Sequence, residues 1–273
     1  MKTLLLHVSL FAVGIFGLAA AQDQHQEAPA PVVIETVEPP LASPENEHLA
    51  AGKPERWEKF LTHQGFCTLH DNLRKIPLYS IWHMKPEYKS NNPRLPARAF
   101  KADPDLPEGG RAELSDYRRS GFDRGHMAPS YDMRRTKAIQ AECFYLSNMV
   151  PQFPWHNQHP WKDLEERTRQ WVQESDDTYI VCGPVFGLDL KTIGKGRVVV
   201  PVGLFKVIAC KKRDGWHAIG FVCSNNHDSG EPGEWITPIA DIELLTGFRF
   251  LQAIPAAVRN RLIEAAPKSL EGW

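Results

Sequence analysis

The sequence predicts an α+β domain built around a mostly antiparallel sheet flanked by helices, and three observations predict it. Segments rich in β-branched and aromatic residues, bounded by Gly, Pro or Asp, recur through the second half of the chain. Helical periodicity is confined to three stretches. One strand pair is joined by Asp214-Gly215, a dipeptide that tolerates the positive φ of a tight hairpin, so that pair is antiparallel.

Taken in order, the chain begins with a leader. Met1-Lys2 precedes an apolar run from Leu4 to Leu18, and Ala19-Ala20-Ala21 stands before Gln22-Asp23. A charged start, an apolar centre and a small-residue cleavage site make a secretory signal peptide. The run is short against the roughly 20 apolar residues of a spanning helix, and no Cys follows the alanines to take a lipid. Residues 1–21 therefore read as a signal peptide, the mature protein as secreted or periplasmic, and no stable membrane association is expected. Residues 22–52 are rich in Pro, Ala and Glu and hold no Lys or Arg, so they read as an acidic, disordered tether. The folded domain is expected over 53–273.

That division changes the meaning of the charge. The whole chain has 32 Lys+Arg against 33 Asp+Glu, a net -1, which gives no sign of a polyanionic partner. Residues 1–50 hold one base, Lys2, and six acids, so the remainder carries 31 bases against 27 acids, or +4. Such a balance permits a polyanion without identifying one. With 42% hydrophobic and 24% charged residues, collagen-like, fully disordered and multi-span membrane classes are excluded.

Strands are expected at Leu78–His83, Thr178–Cys182, Arg197–Val202, Leu204–Cys210 and Trp216–Cys223. A helix over Pro160–Gln173 follows from Trp161, Leu164, Thr168, Trp171 and Val172 at helical spacing, with Pro160 suited to a first turn. A second runs over Pro238–Thr246, entered at Thr237 and stopped by Gly247, and a third over Ala256–Ala265. Five cysteines, an odd count without C-x-x-C spacing, argue against a structural zinc site. With Asp214-Gly215 as the turn, Cys210 faces Ile219 and Cys223 faces Lys206. The two thiols then stand about 13 Å apart along the strands, too far for a disulfide, and read as small buried hydrophobes.

The chemistry concentrates in Ser120-Gly121-Phe122-Asp123-Arg124-Gly125-His126-Met127-Ala128-Pro129-Ser130, where a His stands beside an Arg and an Asp in a segment too punctuated by Gly and Pro for a simple helix. Further polar clusters follow at Asn148 and Asn157. The run His156-Asn157-Gln158-His159 suggests zinc, but no third ligand stands at motif spacing, so both histidines are taken as supporting or surface residues.

These residues resemble the DNA/RNA non-specific endonucleases of the ββα-metal, or His-Me finger, superfamily. The resemblance rests on Asp123-Arg124-Gly125-His126 with Ala128-Pro129, on Leu146-Ser147-Asn148 and Pro151-Gln152, and on Asn157-Gln158 with Trp161 and Leu164-Glu165. Arg98-Ala99-Phe100-Lys101, Gly183-Pro184, Val200-Pro201 and Phe205–Ile208 extend it, in order, from roughly residue 60 to 255. It implies the ββα-metal nuclease fold and hydrolysis of DNA and RNA to 5′-phosphorylated pieces. It also implies a role for each match: His126 as general base, and Asn157 as the single protein ligand of Mg²⁺, with Mn²⁺ as a substitute. Glu165 matches the acid that holds water around the ion, and Arg124 joins His126 and Glu165 among the catalytic residues. Arg98 and Arg169 match arginines that contact or organise phosphate, and Asn148 is grouped with them as a supporting Asn. These types suit the chemistry: imidazole titrates near neutrality, an amide oxygen is a hard donor, and guanidinium grips phosphate with two hydrogen bonds. Without the other matches, Glu165 and Arg169 would read as a solvated i,i+4 pair. A homodimer and an inhibitor protein are left open. The alternatives are a catalytically silent nucleic-acid-binding module of the same fold and a phosphodiesterase for small nucleotides.

Overall fold

The structure, a computed structural model, describes residues 46–54, 59–271 and 273. The expected signal peptide and most of the expected tether lie outside the described residues. In chain order the described strands and α-helices are β1 (Lys59–Thr62), β2 (Cys67–Asp71), β3 (Ile76–Met84), α1 (Leu114–Tyr117), β4 (Asp123–His126), α2 (Lys137–Glu142), β5 (Met149–Gln152), α3 (Pro154–Gln158), α4 (Pro160–Gln173), β6 (Asp177–Val185), β7 (Lys191–Ile193), β8 (Val198–Val200), β9 (Gly203–Lys212), β10 (Gly215–Ser224), α5 (Ile239–Thr246) and α6 (Ala256–Glu264). None of the described helices is long and apolar enough to cross a membrane.

The central sheet has six strands in the order β1-β2-β3-β6-β9-β10, every neighbour antiparallel. Both faces are covered, so β3 is buried along its whole length rather than alternating with solvent. Alternate side chains still part company, as the pleat requires. Trp82 and Met84 of β3 and Ile208 of β9 join Trp161, Leu164 and Trp171 of α4 in one apolar cluster. Tyr79, Ile81 and Val207 join Ile239, Ile242, Phe250 and Ile263 beneath α5 and α6 in the other. Helix α4 begins at Pro160 and ends at Gln173, as its periodicity predicts, and Gly247 caps α5 at φ 72.

Three expectations need correction. The β9–β10 hairpin closes with Lys212 opposite Gly215, so Arg213-Asp214 are the central turn residues and Gly215 uses its positive φ of 122 one residue later. Cys210 thus faces His217 and Cys223 faces Leu204, not Ile219 and Lys206. The thiols are farther apart than the sequence register implies, and all five cysteines are free and buried. The strand expected over Arg197–Val202 shrinks to Val198–Val200 and pairs with β7 outside the central sheet. Arg197 is left-handed at φ 57, and Pro201 has no N–H to continue a ladder. Finally, the tether ends earlier than residue 52. His48 and Ala51 are 2% and 1% exposed, and the Glu47 carboxylate accepts from the Tyr88 hydroxyl at 2.8 Å and from Arg135 at 3.4 Å. Composition reads Glu47 as solvated because its partners lie far along the chain.

Candidate active site

Strands β4 and β5 pair antiparallel, Asp123 opposite Gln152 and His126 opposite Met149, and lead into α3 and α4, a ββα unit packed on the central sheet. Gly125 is required there. A Cβ at this position would collide with the Gln152 side chain, which lies across the strand and meets His156 Nδ1 at 3.0 Å through its amide.

His126 projects from the end of β4 with its ring against Phe144 and Phe100, at centroid distances of 5.2 and 5.4 Å. Its Nε2 is buried without a hydrogen-bond partner. Burial, then the positive charges of Arg94 and Arg124, pull its pKa down to about 3, so the imidazole is neutral at physiological pH. The Arg124 guanidinium sits 4.1 Å from the Phe100 ring centroid. Phe100 thus touches both the imidazole and the guanidinium. Arg98 is exposed on the Ala97–Ala99 turn just before Phe100, with no hydrogen bond or ion pair among the described residues.

Asn157 belongs to α3, which is separated from α4 by His159 at φ -120, ψ -95. Its Nδ2 donates to Asp123 Oδ2 at 2.9 Å, and Gln158 Nε2 donates to the same oxygen at 2.8 Å. A carboxylate only accepts, so it fixes the amide with nitrogen inward and leaves Oδ1 free as a hard oxygen donor. These residues fit a hydrated Mg²⁺ or Mn²⁺ better than Zn²⁺. Among the described residues no group of three His, Cys, Asp or Glu is placed to hold a metal. His156 is buried and bonded to Gln152 and Cys223, while His159 is exposed and bonded to the Trp155 carbonyl.

On α4, Glu165 is half-buried, and burial pushes its carboxyl up to about 7 against the opposing charges of Lys206 and Arg169. Arg169 does not pair with it. Its Nη1 lies 3.3 Å from Oδ1 of buried Asp132, whose Oδ2 accepts from Trp82 Nε1 at 3.0 Å. The i,i+4 pair that spacing alone would suggest does not form, because Asp132 offers Arg169 an acceptor already held in place.

The family described as DNA/RNA non-specific endonuclease matches residues 45–257. The chain belongs to that family. Nuclease C1 of Cunninghamella echinulata var. echinulata is 30% identical over 239 residues, covering 82% of this chain and 95% of its own. Mitochondrial endonuclease G of Homo sapiens is 29% identical over 206 residues, 71% and 69% of the two chains. A solved EndoG/EndoGI complex, described as showing the mechanism of EndoG inhibition, superposes with a TM-score of 0.71 at 27% identity over 76% of this chain and 91% of that one. The ββα-metal nuclease fold expected from the sequence is therefore present, with an antiparallel central sheet flanked by helices.

Asn148 is fully buried, and its Oδ1 accepts from Ser80 Oγ and the Ala128 amide, both at 2.9 Å. Its Nδ2 donates to the carbonyls of Ala128 at 2.9 Å and Cys143 at 3.0 Å. It pins the loop that follows His126, and all four of its hydrogen-bonding positions are taken within the protein. Three participants have no sequence role above. Asp123 stood inside the His126 motif, where an acid next to the catalytic strand was the available signal. Arg94 and the buried Lys206, whose Nζ is 4.5 Å from the Trp161 ring centroid, are brought in only by the fold.

Proposed function

We propose that this nucleic-acid hydrolase is a secreted, Mg²⁺-dependent endonuclease that cuts DNA and RNA without regard to the sugar and leaves 5′-phosphates. The observation that carries the reading is the His126 ring, its Nε2 enclosed and Arg94 and Arg124 near enough to oppose its protonation, on the strand whose first residue, Asp123, orients Asn157. With Nε2 enclosed, Nδ1 is the ring nitrogen that takes a proton from the attacking water. Arg94 and Arg124 hold the phosphate by charge, and the phosphate in turn offsets their repulsion of a proton on His126. Substrate binding therefore strengthens the base when it is needed. Arg98 and Arg169 extend the grip along the strand, and Glu165 orients water beside the site. Asn157 Oδ1 would hold the Mg²⁺, with Mn²⁺ as a substitute. Bound there, the ion supplies polarisation of the phosphate and stabilisation of the leaving 3′ oxygen. Recognition by phosphate contacts carries no direct sequence information, which suits non-specific cutting. Export rests on the charged start, apolar run and alanine cluster of residues 1–21.

The test is digestion of plasmid, linear DNA and RNA with and without Mg²⁺ and chelator. His126→Ala should lose ~10²–10⁴-fold in kcat, the usual contribution of a general base, with an unchanged circular dichroism spectrum. Digestion by that variant at the parent rate would sink the assignment, and chelator-resistant cutting would sink the metal role.

A further inference from the structure

Beside the active site lies a cavity of about 430 Å³, within the size range of sites that hold a small organic ligand. It opens between Tyr131 on the loop after β4, Arg169 and Gln173 on α4, and Tyr88 and Lys89 at the Pro86–Tyr88 turn, with Arg134 on its wall. We propose that it is a nucleobase subsite, occupied by one unstacked base of the substrate strand whose phosphate is held by Arg169. This inference rests on the nuclease reading above.

Tyr131 is 52% exposed, while every neighbour from Met127 to Met133 is buried. From Met127 to Met133 it is the one exposed side chain, and its ring lines the cavity. Two guanidiniums flank it, Arg134 at 3.7 Å and Arg169 at 5.0 Å from its centroid. Such contacts decorate many surfaces, so alone they would mean little. The surroundings point further. The cavity is lined by three cations and two phenols and by no carboxylate. Arg134 makes no ion pair among the described residues, and its Nε is buried without a hydrogen-bond partner. The acids around it are engaged: Asp132 is buried and taken by Trp82 and Arg169, and Glu47 accepts from the Tyr88 hydroxyl and Arg135. An aromatic face, an unmatched guanidinium and a positive wall complement a base joined to phosphates. Stacking is indifferent to base identity, so the subsite is compatible with non-specific cutting. It cannot accept a base that remains stacked in a duplex, so it favours single-stranded or locally opened nucleic acid.

The test uses the full chain and a single-stranded DNA oligonucleotide with one cleavable linkage, in which each base flanking the cut is replaced in turn by an abasic sugar. At one flanking position the abasic substrate should lose about tenfold in kcat/KM with the parent protein, as expected for loss of one base–aromatic stack. Tyr131→Ala should lose about as much on the intact oligonucleotide and little more on the abasic one, because both changes remove the same contact. Tyr131→Trp, which keeps an aromatic face, should retain the abasic penalty. Equal abasic penalties in the parent and Tyr131→Ala, or no position with a penalty, would overturn the subsite. So would cutting of plasmid with no cutting of the oligonucleotide. If the parent protein cuts neither, the nuclease reading itself fails.

Discussion

Asp123 is the residue whose removal most directly tests how the site is built. Its Oδ2 accepts from Asn157 Nδ2 at 2.9 Å and from Gln158 Nε2 at 2.8 Å. Gln158 is exposed, so its bond competes with water and contributes little. The Asn157 bond is partly buried and ends on a charge, which places it at ~1.5–3 kcal/mol. That energy holds the amide with Oδ1 outward; without it the amide turns freely and the hard oxygen is offered only part of the time. Loss of a residue that supports a metal ligand usually costs ~10–100-fold in metal affinity. Plasmid cleavage rates measured across a Mg²⁺ series should show the half-saturating concentration raised by that factor in Asp123→Ala, with thermal melting in chelator little changed. Asp123→Asn keeps an acceptor oxygen but loses the charge, so it should fall between. If Asp123→Ala requires no more Mg²⁺ than the parent protein, Asn157 does not hold the ion through Oδ1 and the metal assignment fails.

Two further outcomes follow from burial. Asn148→Ala strands the Ala128 amide and carbonyl and the Cys143 carbonyl, while Ser80 keeps its bond to Thr68; at ~1–3 kcal/mol for each group left unpaired, urea denaturation should show a loss of at least ~3 kcal/mol. A stable Asn148→Ala protein with a raised KM would instead return Asn148 to the substrate. Acid should also cost stability through His126. The unfolded ring takes a proton near 6.5 and the folded one only at about 3, so its contribution is intact above 6.5 and is lost as pH falls toward 3. At pH 5 the loss is at most ~2 kcal/mol. Glu165, raised to about 7 from 4.5, acts oppositely and gains stability over the same fall, so the parent curve mixes the two. His126→Asn isolates the His: between pH 7 and pH 5 it should lose up to ~2 kcal/mol less than the parent in urea titrations, and parallel curves would refute the enclosure of the ring.

What the sequence made legible follows from the range of the interactions. Helix α4 has its stripe, its Pro start and its length written in consecutive residues, because Trp161, Leu164 and Trp171 all answer to one sheet face. Strand β4 is different. Asp-Arg-Gly-His has no β pattern, and its extended form is imposed by pairing with Met149–Gln152 and by Gln152 lying over Gly125. Short α3 was hidden for a different reason, since its five residues carry no apolar stripe and Pro160 marks only the start of the next helix. The folding of Asn46–Gly52 onto the domain depends on Tyr88 and Arg135, partners some forty and ninety positions away that no local composition reveals. Candidate site residues were offered only where the motif quotes them. Arg94 was not, because only the fold sets its charge against His126.

Bonding separates the residues that build this site from those left able to act. Asn148 and Asp132 are buried with both ends satisfied; a substrate atom could reach them only by displacing a partner already in place. His126 Nε2 and Arg134 Nε are enclosed without a partner, and Arg98 stands without one on the surface. A buried unmatched polar atom costs stability, so the two at His126 and Arg134 suit a partner that the free protein does not supply. Read in this way the net +4 of residues 51–273 matters less than its arrangement. Lys206 and Arg169 are set against Glu165 and Asp132, whereas Arg94, Arg98, Arg124 and Arg134 have no carboxylate ion pair among the described residues. On the proposed reading, Arg94 and Arg124, left uncompensated beside the His126 imidazole, would attract a phosphodiester while opposing a proton on the ring until the phosphate arrives.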